Sequence, residues 1–254
     1  MNNRGEQVIG ELFRRINTLI ADYDLTYDEY QVAQQWLIDV GQAGEWPLAL
    51  ALFEHAVEQQ AHKDRAGSQG TILGPFYLPD SPVLDLPYEL PHRPGEKGDK
   101  LLMTGRVLSA DGTPLDGAVL DVWQADADGL YSGFSDLPAG LLRGKLTTDT
   151  QGRFALRTIV PGAFTIPHEG PVGRLLAACG WHPWRPGHIH MIVSADEHEP
   201  LITQLYMDSS DYLDDDVASA VKNSLIVHPH RHGGQLAFDY EFRLAPLRAA
   251  VPAG

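Results

Sequence analysis

The sequence predicts a mainly β fold with an N-terminal helical region: a β-sandwich body preceded by a helical segment. Three observations predict it. Residues 6–62 carry apolar side chains near helical spacing. From Lys100 onward the texture turns to short alternating or β-rich runs. No repeat period occurs, and no strand–helix alternation of the kind that builds a parallel sheet. With 254 residues, 43% of them hydrophobic, the chain can bury a sizeable core.

In the first helix Val8, Leu12, Ile16 and Ile20 recur on one face. Asp22–Asp24 break it, and Thr26-Tyr-Asp-Glu29 forms a capping box, with Thr26 as N-cap and Glu29 reaching back. The second helix runs to about Val40. A turn over Gly41–Trp46 follows, and Pro47 suits the first turn of a third helix. Helices this short bury little alone and must pack on the body or on a second subunit. Residues 63–98 are punctuated by Gly, Pro and Ser and read as a long connector crossing the body. The strands expected beyond it are LLMTGRVL, AVLDVWQAD, KLTTD, RFALRTIV, HIHMIVSA, ITQLYMD and AFDYEFRL, with turns at Asp111-Gly112 and Thr150-Gln-Gly152. Seven such strands suit a sandwich.

A formal net charge of -15 argues against nucleic acid or an anionic membrane as partner, since both require clustered Lys and Arg. The one cysteine, Cys179, excludes an intrachain disulfide and a cysteine-based zinc site. No run of 18 apolar residues is present to span a membrane. The opening residues lack an apolar signal core, so a cytoplasmic location is expected.

In RPGHIHMIV, His188 and His190 stand at i and i+2 of an expected strand and point the same way, so both imidazoles can reach one metal ion. A pair of histidines on a solvent face is the alternative. The apolar company favours the metal: Ile189 and Met191 should face the core, and Trp181, Trp184 and Pro186 precede the pair. His228-Pro-His-Arg-His232 also spaces histidines by two, but it contains Pro and Arg and is followed by Gly-Gly, so it reads as a loop entering the last strand. Tyr131 follows the turn Asp126–Gly129, and spacing alone does not distinguish it from a packing tyrosine.

The chain resembles the intradiol ring-cleavage dioxygenases, in the catechol, chlorocatechol and hydroxyquinol branch. The resemblance runs through LTYDEYQVAQQWLIDVG, TILGPFY at 71–77, VLDVWQADADGLYSGF at 119–134, RFALRTIVP at 153–161, IPHEGPVG at 166–173, RPGHIH at 185–190 and TQLY at 203–206. IPHEGPVG and HPWRPGHIH are closest to hydroxyquinol and chlorocatechol members. The resemblance implies one ferric iron per chain, held by His188, His190 and the Tyr131 phenolate, a hard anionic donor that favours Fe(III). It implies that Arg185 stabilises the activated substrate, that Gln204 faces the pocket, and that Leu73, Gly74, Pro75 and Phe76, with Ile166 and Pro167, line the substrate ring. The implied reaction is cleavage of a small aromatic diol between its hydroxyls with O2, giving a muconate-type diacid. The implied organisation is a helical dimerisation region over 1–65, a connector lining the active site over 66–99 and a β-sandwich catalytic domain over 100–254. A homodimer is expected, with a lipid tunnel at the helical interface as a further implication.

One position departs from the pattern. The family carries a second, axial tyrosine ligand just before the Pro-x-Glu/Asp-Gly-Pro segment, and VPGAFTIPHEGP has Phe164 there. A phenyl ring cannot ligate iron, so three protein ligands match. Turnover with water as base, replacement by another group, and a diverged or engineered chain with altered chemistry all stay open. Glu54 and His55, on the helix walling the site, are candidate substitute bases against a solvated-face reading. Against the enzyme stand a catechol-binding or weakly active homologue and a carrier-like sandwich that binds metal incidentally.

Overall fold

The computed structural model describes residues 3–247. Three helices come first: α1 (Arg4–Asp22), α2 (Tyr27–Ala43) and α3 (Trp46–Ala61). The capping box at Thr26 forms as expected, with the Glu29 amide donating to Thr26 Oγ1 and the Glu29 carboxylate accepting the Thr26 amide at 2.8 Å. The expected turn over Gly41–Trp46 is corrected. The α2 helix continues through Gly41 to Ala43, and the reversal falls at Gly44, whose φ of 70° is the left-handed value that glycine adopts without strain. No further helix or multi-residue strand forms before β1 (Lys100–Ser109).

Ten further strands, one α-helix and one 3-10 turn (Asn223–Leu225) follow among the described residues: β2 (Val119–Gln124), β3 (Arg143–Thr147), β4 (Arg153–Ile159), β5 (Phe164–Thr165), α4 (Pro171–Ala178), β6 (Trp184–Arg185), β7 (His188–Ser194), β8 (Leu201–Met207), β9 (Ile226–Val227), β10 (His230–His232) and β11 (Gln235–Leu244). All seven expected strands form. The four extra ones are two or three residues long, too short for alternation to show. One sheet has the order β10-β11-β1-β4 and the other β3-β2-β7-β8-β9, and β5 pairs β6 apart from both. The two large sheets bury a common core, with Leu101, Met103, Phe154 and Phe242 from the first meeting Leu120, Val122, Met191 and Leu205 from the second. The fold is therefore a β-sandwich with a helical N-terminal region.

Alternation on β7 decides where chemistry can sit. Ile189, Met191 and Val193 enter the sandwich core, so His188 and His190 lie on the opposite face of that sheet. That face is covered by the connector and by the β5–β6 ribbon. Helix α4, which was not anticipated, docks the helical region on the body. Val40, Leu48 and Ala49 pack with Ile166, Val172 and Leu176, Trp36 donates to the Pro171 carbonyl at 2.9 Å, and Glu45 accepts the Val172 amide at 2.9 Å. At eight residues, α4 is too short for periodicity to separate it from the motif it continues. Helix α1 buries none of its residues.

Candidate metal centre

His188 and His190 are 0% and 1% exposed, so the solvent-face reading is excluded. His188 Nδ1 lies 2.7 Å from the Pro186 carbonyl, which can only accept, so Nδ1 carries the proton and Nε2 presents its lone pair. That Nε2 stands 2.9 Å from His190 Nε2. Two imidazole nitrogens bound side by side to one metal ion at about 2.1 Å stand a similar distance apart. Burial, reinforced by the Arg185 guanidinium, holds His188 down to about 3, and burial with His188 beside it holds His190 well below the usual histidine range. Both rings are therefore neutral at pH 7, as metal ligands must be.

Among the described residues no cluster of three or more His, Cys, Asp or Glu is arranged to hold a metal ion, so a third protein donor has to be of another type. Tyr131 fits. Its hydroxyl is buried with no hydrogen-bond partner, and its ring meets His190 at 6.0 Å between centroids. A buried hydroxyl left unpaired costs about 1–3 kcal/mol, which a ligand in the space before it would offset. Burial pushes the phenol above the usual tyrosine range, opposed by Arg185 and Arg143. The Asp126 carboxylate shapes the turn that delivers Tyr131, accepting the Asp128 and Leu130 amides at 3.0 and 2.9 Å. Gly129 (φ 82°) lets this turn approach the Phe164 strand, because a Cβ there would lie 2.4 Å from the Ala163 carbonyl oxygen.

Phe164 is 3% exposed, with its ring 5.3 Å from His188, 5.0 Å from Tyr131 and 5.6 Å from Phe76. It pairs across the ribbon with Arg185, whose guanidinium lies 6.0 Å above the phenyl centroid. Arg185 is 1% exposed and donates to Asp216 Oδ1 and Oδ2 at 2.9 and 3.0 Å, to Gln204 Oε1 at 3.0 Å, and to Tyr206 Oη at 3.2 Å. It is thus a buried ion pair and not a surface one. Its Nη1 also reaches His188 Nε2 at 3.4 Å. Gln204 stands opposite His190 and donates to the Ile72 carbonyl at 2.7 Å.

The connector closes over the histidines. Phe76 stacks on Tyr131 at 4.4 Å, and Leu73 packs beside the same aromatic group. Gly74 has φ 74°, and a Cβ there would sit 3.1 Å from His190 Cε1, so the backbone itself covers the imidazole. Ile166 packs in the helix-docking cluster, while Pro75 and Pro167 are solvent-exposed. The solvated-face reading of Glu54 and His55 is corrected: Glu54 accepts the Leu73 amide at 3.2 Å, and His55 Nδ1 is buried without a partner. The reading of residues 228–232 as a loop is corrected in part. His230–His232 form β10 beside β11, fully exposed, and His228 pairs with Asp208 at 2.8 Å.

Four residues at the site were missed by sequence reasoning. Trp123 stacks on His190 at 4.8 Å with planes 7° apart, Tyr206 lies against His188 at 5.1 Å, Asp216 holds Arg185, and Arg143 hydrogen-bonds the segments of Phe76 and Tyr131. Alternation with the histidines' neighbouring strands is the signal that finds the first two.

Comparison with known proteins agrees along the chain. Residues 2–69 match the family described as the catechol dioxygenase N terminus, and residues 72–246 match the dioxygenase family. A chlorocatechol 1,2-dioxygenase of Rhodococcus opacus is 42% identical over 226 residues, covering 85% of this chain and 88% of its own. A hydroxyquinol 1,2-dioxygenase of a Rhizobium species is 35% identical, covering 88% and 78%. The crystal structure of 3-chlorocatechol 1,2-dioxygenase from Rhodococcus opacus 1CP superposes with a TM-score of 0.93 at 43% identity, over 97% of this chain and all of that one. The chain therefore belongs to the intradiol ring-cleavage dioxygenase family, in its catechol, chlorocatechol and hydroxyquinol branch.

Proposed function

We propose that the protein binds one Fe(III) through His188, His190 and Tyr131 and uses it to open a catechol-type ring, a hydroxyquinol or substituted catechol, between its hydroxyls with O2, giving a muconate-type diacid. The observation that carries this reading is the convergence of two buried, neutral imidazoles, their Nε2 atoms 2.9 Å apart, with a buried, partnerless phenol oxygen in a member of this family. When bound, the ferric ion supplies Lewis-acid polarisation of the diol and a template for it. The chain supplies the rest. Trp123 and Gly74 fix the His190 ring, and the Pro186 carbonyl fixes the His188 tautomer. Arg185, held by Asp216, offers Nη1 toward the histidines, where a fixed guanidinium stabilises charge developing on the ring. Leu73, Phe76 and Phe164 exclude water. Gly74 completes the wall over His190 and Gln204 orients Arg185, while the ring-lining role of Pro75, Ile166 and Pro167 rests on family resemblance.

The test is anaerobic titration of iron-loaded protein with catechol and hydroxyquinol, followed by oxygen. Spectral change on binding, oxygen uptake and a ring-opened diacid are expected. Spectral change without oxygen uptake would favour the second reading, a catechol-binding or weakly active homologue altered by Phe164, whose hydrocarbon ring lies 5.3 Å from that of His188 and offers no ligand atom. The absence of both would sink the enzyme.

The exposed stripe Val8, Leu12, Ile16 and Leu19 on α1 supports a homodimer through the N-terminal helices, with a lipid chain held where they meet. A monomer by light scattering at micromolar concentration would overturn it. The single, exposed Cys179 fits a reducing cytoplasm. Among the described residues no helix is long and apolar enough to cross a membrane.

A further inference from the structure

A single row of side chains crosses the site face of the five-stranded sheet. In register, Arg143 stands opposite Trp123, Trp123 opposite His190, and His190 opposite Gln204. Residues directly opposite on neighbouring strands share a face, so Arg143 belongs to the wall that carries the histidine. It is 1% exposed, and among the described residues no carboxylate lies at ion-pairing distance from it. Arg185, equally buried, has Asp216. Arg143 has only neutral acceptors: Nε donates to Ser132 Oγ at 3.0 Å, Nη1 to the Phe76 carbonyl at 2.8 Å, and Nη2 to the Ser132 carbonyl at 2.8 Å. Its hydrogen-bonding capacity is well used while its charge has no direct ion-pair partner: Asp121 acts on it from beyond contact, and the Phe134 ring centroid lies 5.8 Å from its guanidinium carbon.

The three acceptors have a common geometry. Phe76 and the neighbour of Ser132, Tyr131, are the two rings stacked at 4.4 Å with planes 17° apart. The guanidinium therefore fastens the connector to the Tyr131 loop from behind that stack. Ser132 Oγ donates onward to the Leu141 carbonyl at 2.6 Å, tying the clamp to the approach to β3. A planar fork with fixed donor directions can hold both segments at once, and a lysine cannot.

We propose that Arg143 is a positioning residue for the metal centre: it clamps Phe76 and Ser132 so that the Tyr131 oxygen is aimed at the histidines, and its charge, free of a contacting carboxylate, balances the negative charge the site gathers from its ligands. The inference rests on the metal-binding reading above and deepens it. Residues behind a ligand that fix its orientation are worth about 10- to 100-fold in metal affinity.

The experiment compares the parent protein, Arg143→Gln, Arg143→Lys, Tyr131→Phe and Arg143→Gln/Tyr131→Phe, each loaded with ferric iron. Iron retention against a chelator, the visible phenolate-to-iron band and the melting temperature are read for each. Arg143→Gln should shift the band and weaken iron retention about 10- to 100-fold. The same substitution should cost no further iron in the Tyr131→Phe background, whatever it does to melting. Equal iron loss in both backgrounds, or an unmoved band, would overturn the inference and leave Arg143 a folding residue. If Arg143→Gln does not fold, Arg143→Lys carries the comparison, since it keeps the charge and loses the fork; a parental band in that variant would overturn the clamp. A parent that shows no phenolate band at all would fail the metal-binding reading itself, a different result from either of these.

Discussion

Asp216 accepts from both Nε and Nη2 of Arg185, at 2.9 and 3.0 Å, and the two side chains are among the least exposed charged groups of the described residues. Burial works against ionisation of Asp216, and the guanidinium outweighs it, so the carboxyl stays below its usual range. Asp216 also accepts the Ala218 and Ala220 amides, so the pair anchors the loop after β8 to the β5–β6 ribbon. Family resemblance implies for Arg185 a part in stabilising the activated substrate. Its burial and its ion pair with Asp216 give it a structural role as well.

Arg185→Gln should therefore lower stability as well as turnover. Breaking a buried pair from one side costs about 3–5 kcal/mol because the other charge is left unpaired. At this chain length that is a fall of roughly 10 °C in melting temperature. Arg185→Gln/Asp216→Asn, which removes both charges, should recover a large part of the melting temperature and none of the turnover. A single variant that melts like the parent would show that Asp216 is satisfied by its backbone donors alone.

Acid should destabilise the metal-free protein through its buried histidines. The His188 ring lies at about 3 in the folded chain against 6.5 when unfolded, and His190 shifts the same way. Below 6.5 the unfolded chain binds protons that the folded one refuses, so stability falls as pH falls from 6.5 towards 3 and is fully present above 6.5. The slope should approach about 1.4 kcal/mol per pH unit for each histidine. Chemical denaturation between pH 7 and 4 reads it, and His188→Gln should flatten the curve. A parental curve in that variant would place the acid sensitivity elsewhere.

Tyr131→Phe should remove the visible charge-transfer band and His190→Ala should remove most bound iron, while both fold. Removing the Tyr131 hydroxyl relieves an unpaired buried group in the metal-free protein, so metal-free Tyr131→Phe should melt at or above the parent, by up to about 1–3 kcal/mol of stability. Undiminished iron in both variants would show that the metal, if any, binds elsewhere.

How far these residues were legible differs by kind. Strand alternation placed His188 and His190 on one face and Ile189 and Met191 on the other, because a period of two leaves no other choice. The capping box located the start of α2 for the same reason: it is a local hydrogen-bond pattern written in four residues. Alternation marks the face of Trp123 within its own strand, but its partner and that of Arg143 depend on which strands are neighbours, and register across β3-β2-β7 is a property of the whole sheet. Asp216 lies in an irregular loop 31 residues from Arg185, and no periodicity links the two. Tyr131 required family resemblance. Only the fold shows that its hydroxyl lacks a partner.

Phe164→Tyr tests the proposal that Phe164 stands where the family resemblance implies an axial tyrosine. The phenyl ring sits among Tyr131, His188 and Phe76 and offers no proton acceptor to a diol hydroxyl. Loss of one positioned base typically costs about 10²–10⁴-fold in rate, so residual cleavage is expected from the natural protein and a gain from the tyrosine variant. Stability supplies a check that does not depend on turnover. A hydroxyl added to this apolar cluster has to find a partner, and without one it costs about 1–3 kcal/mol. Metal-free Phe164→Tyr should therefore melt below the metal-free parent. If the new oxygen reaches the metal, ferric iron should raise its melting temperature more than it raises the parent's, since a ligand that binds only the folded state stabilises in proportion to its affinity. A stronger visible band and faster oxygen uptake should accompany that gain. Equal stabilisation of both proteins by iron would mean that the hydroxyl points away from the centre. A tyrosine variant that binds iron more tightly and yet turns over more slowly would mean that the site has been rebuilt around phenylalanine.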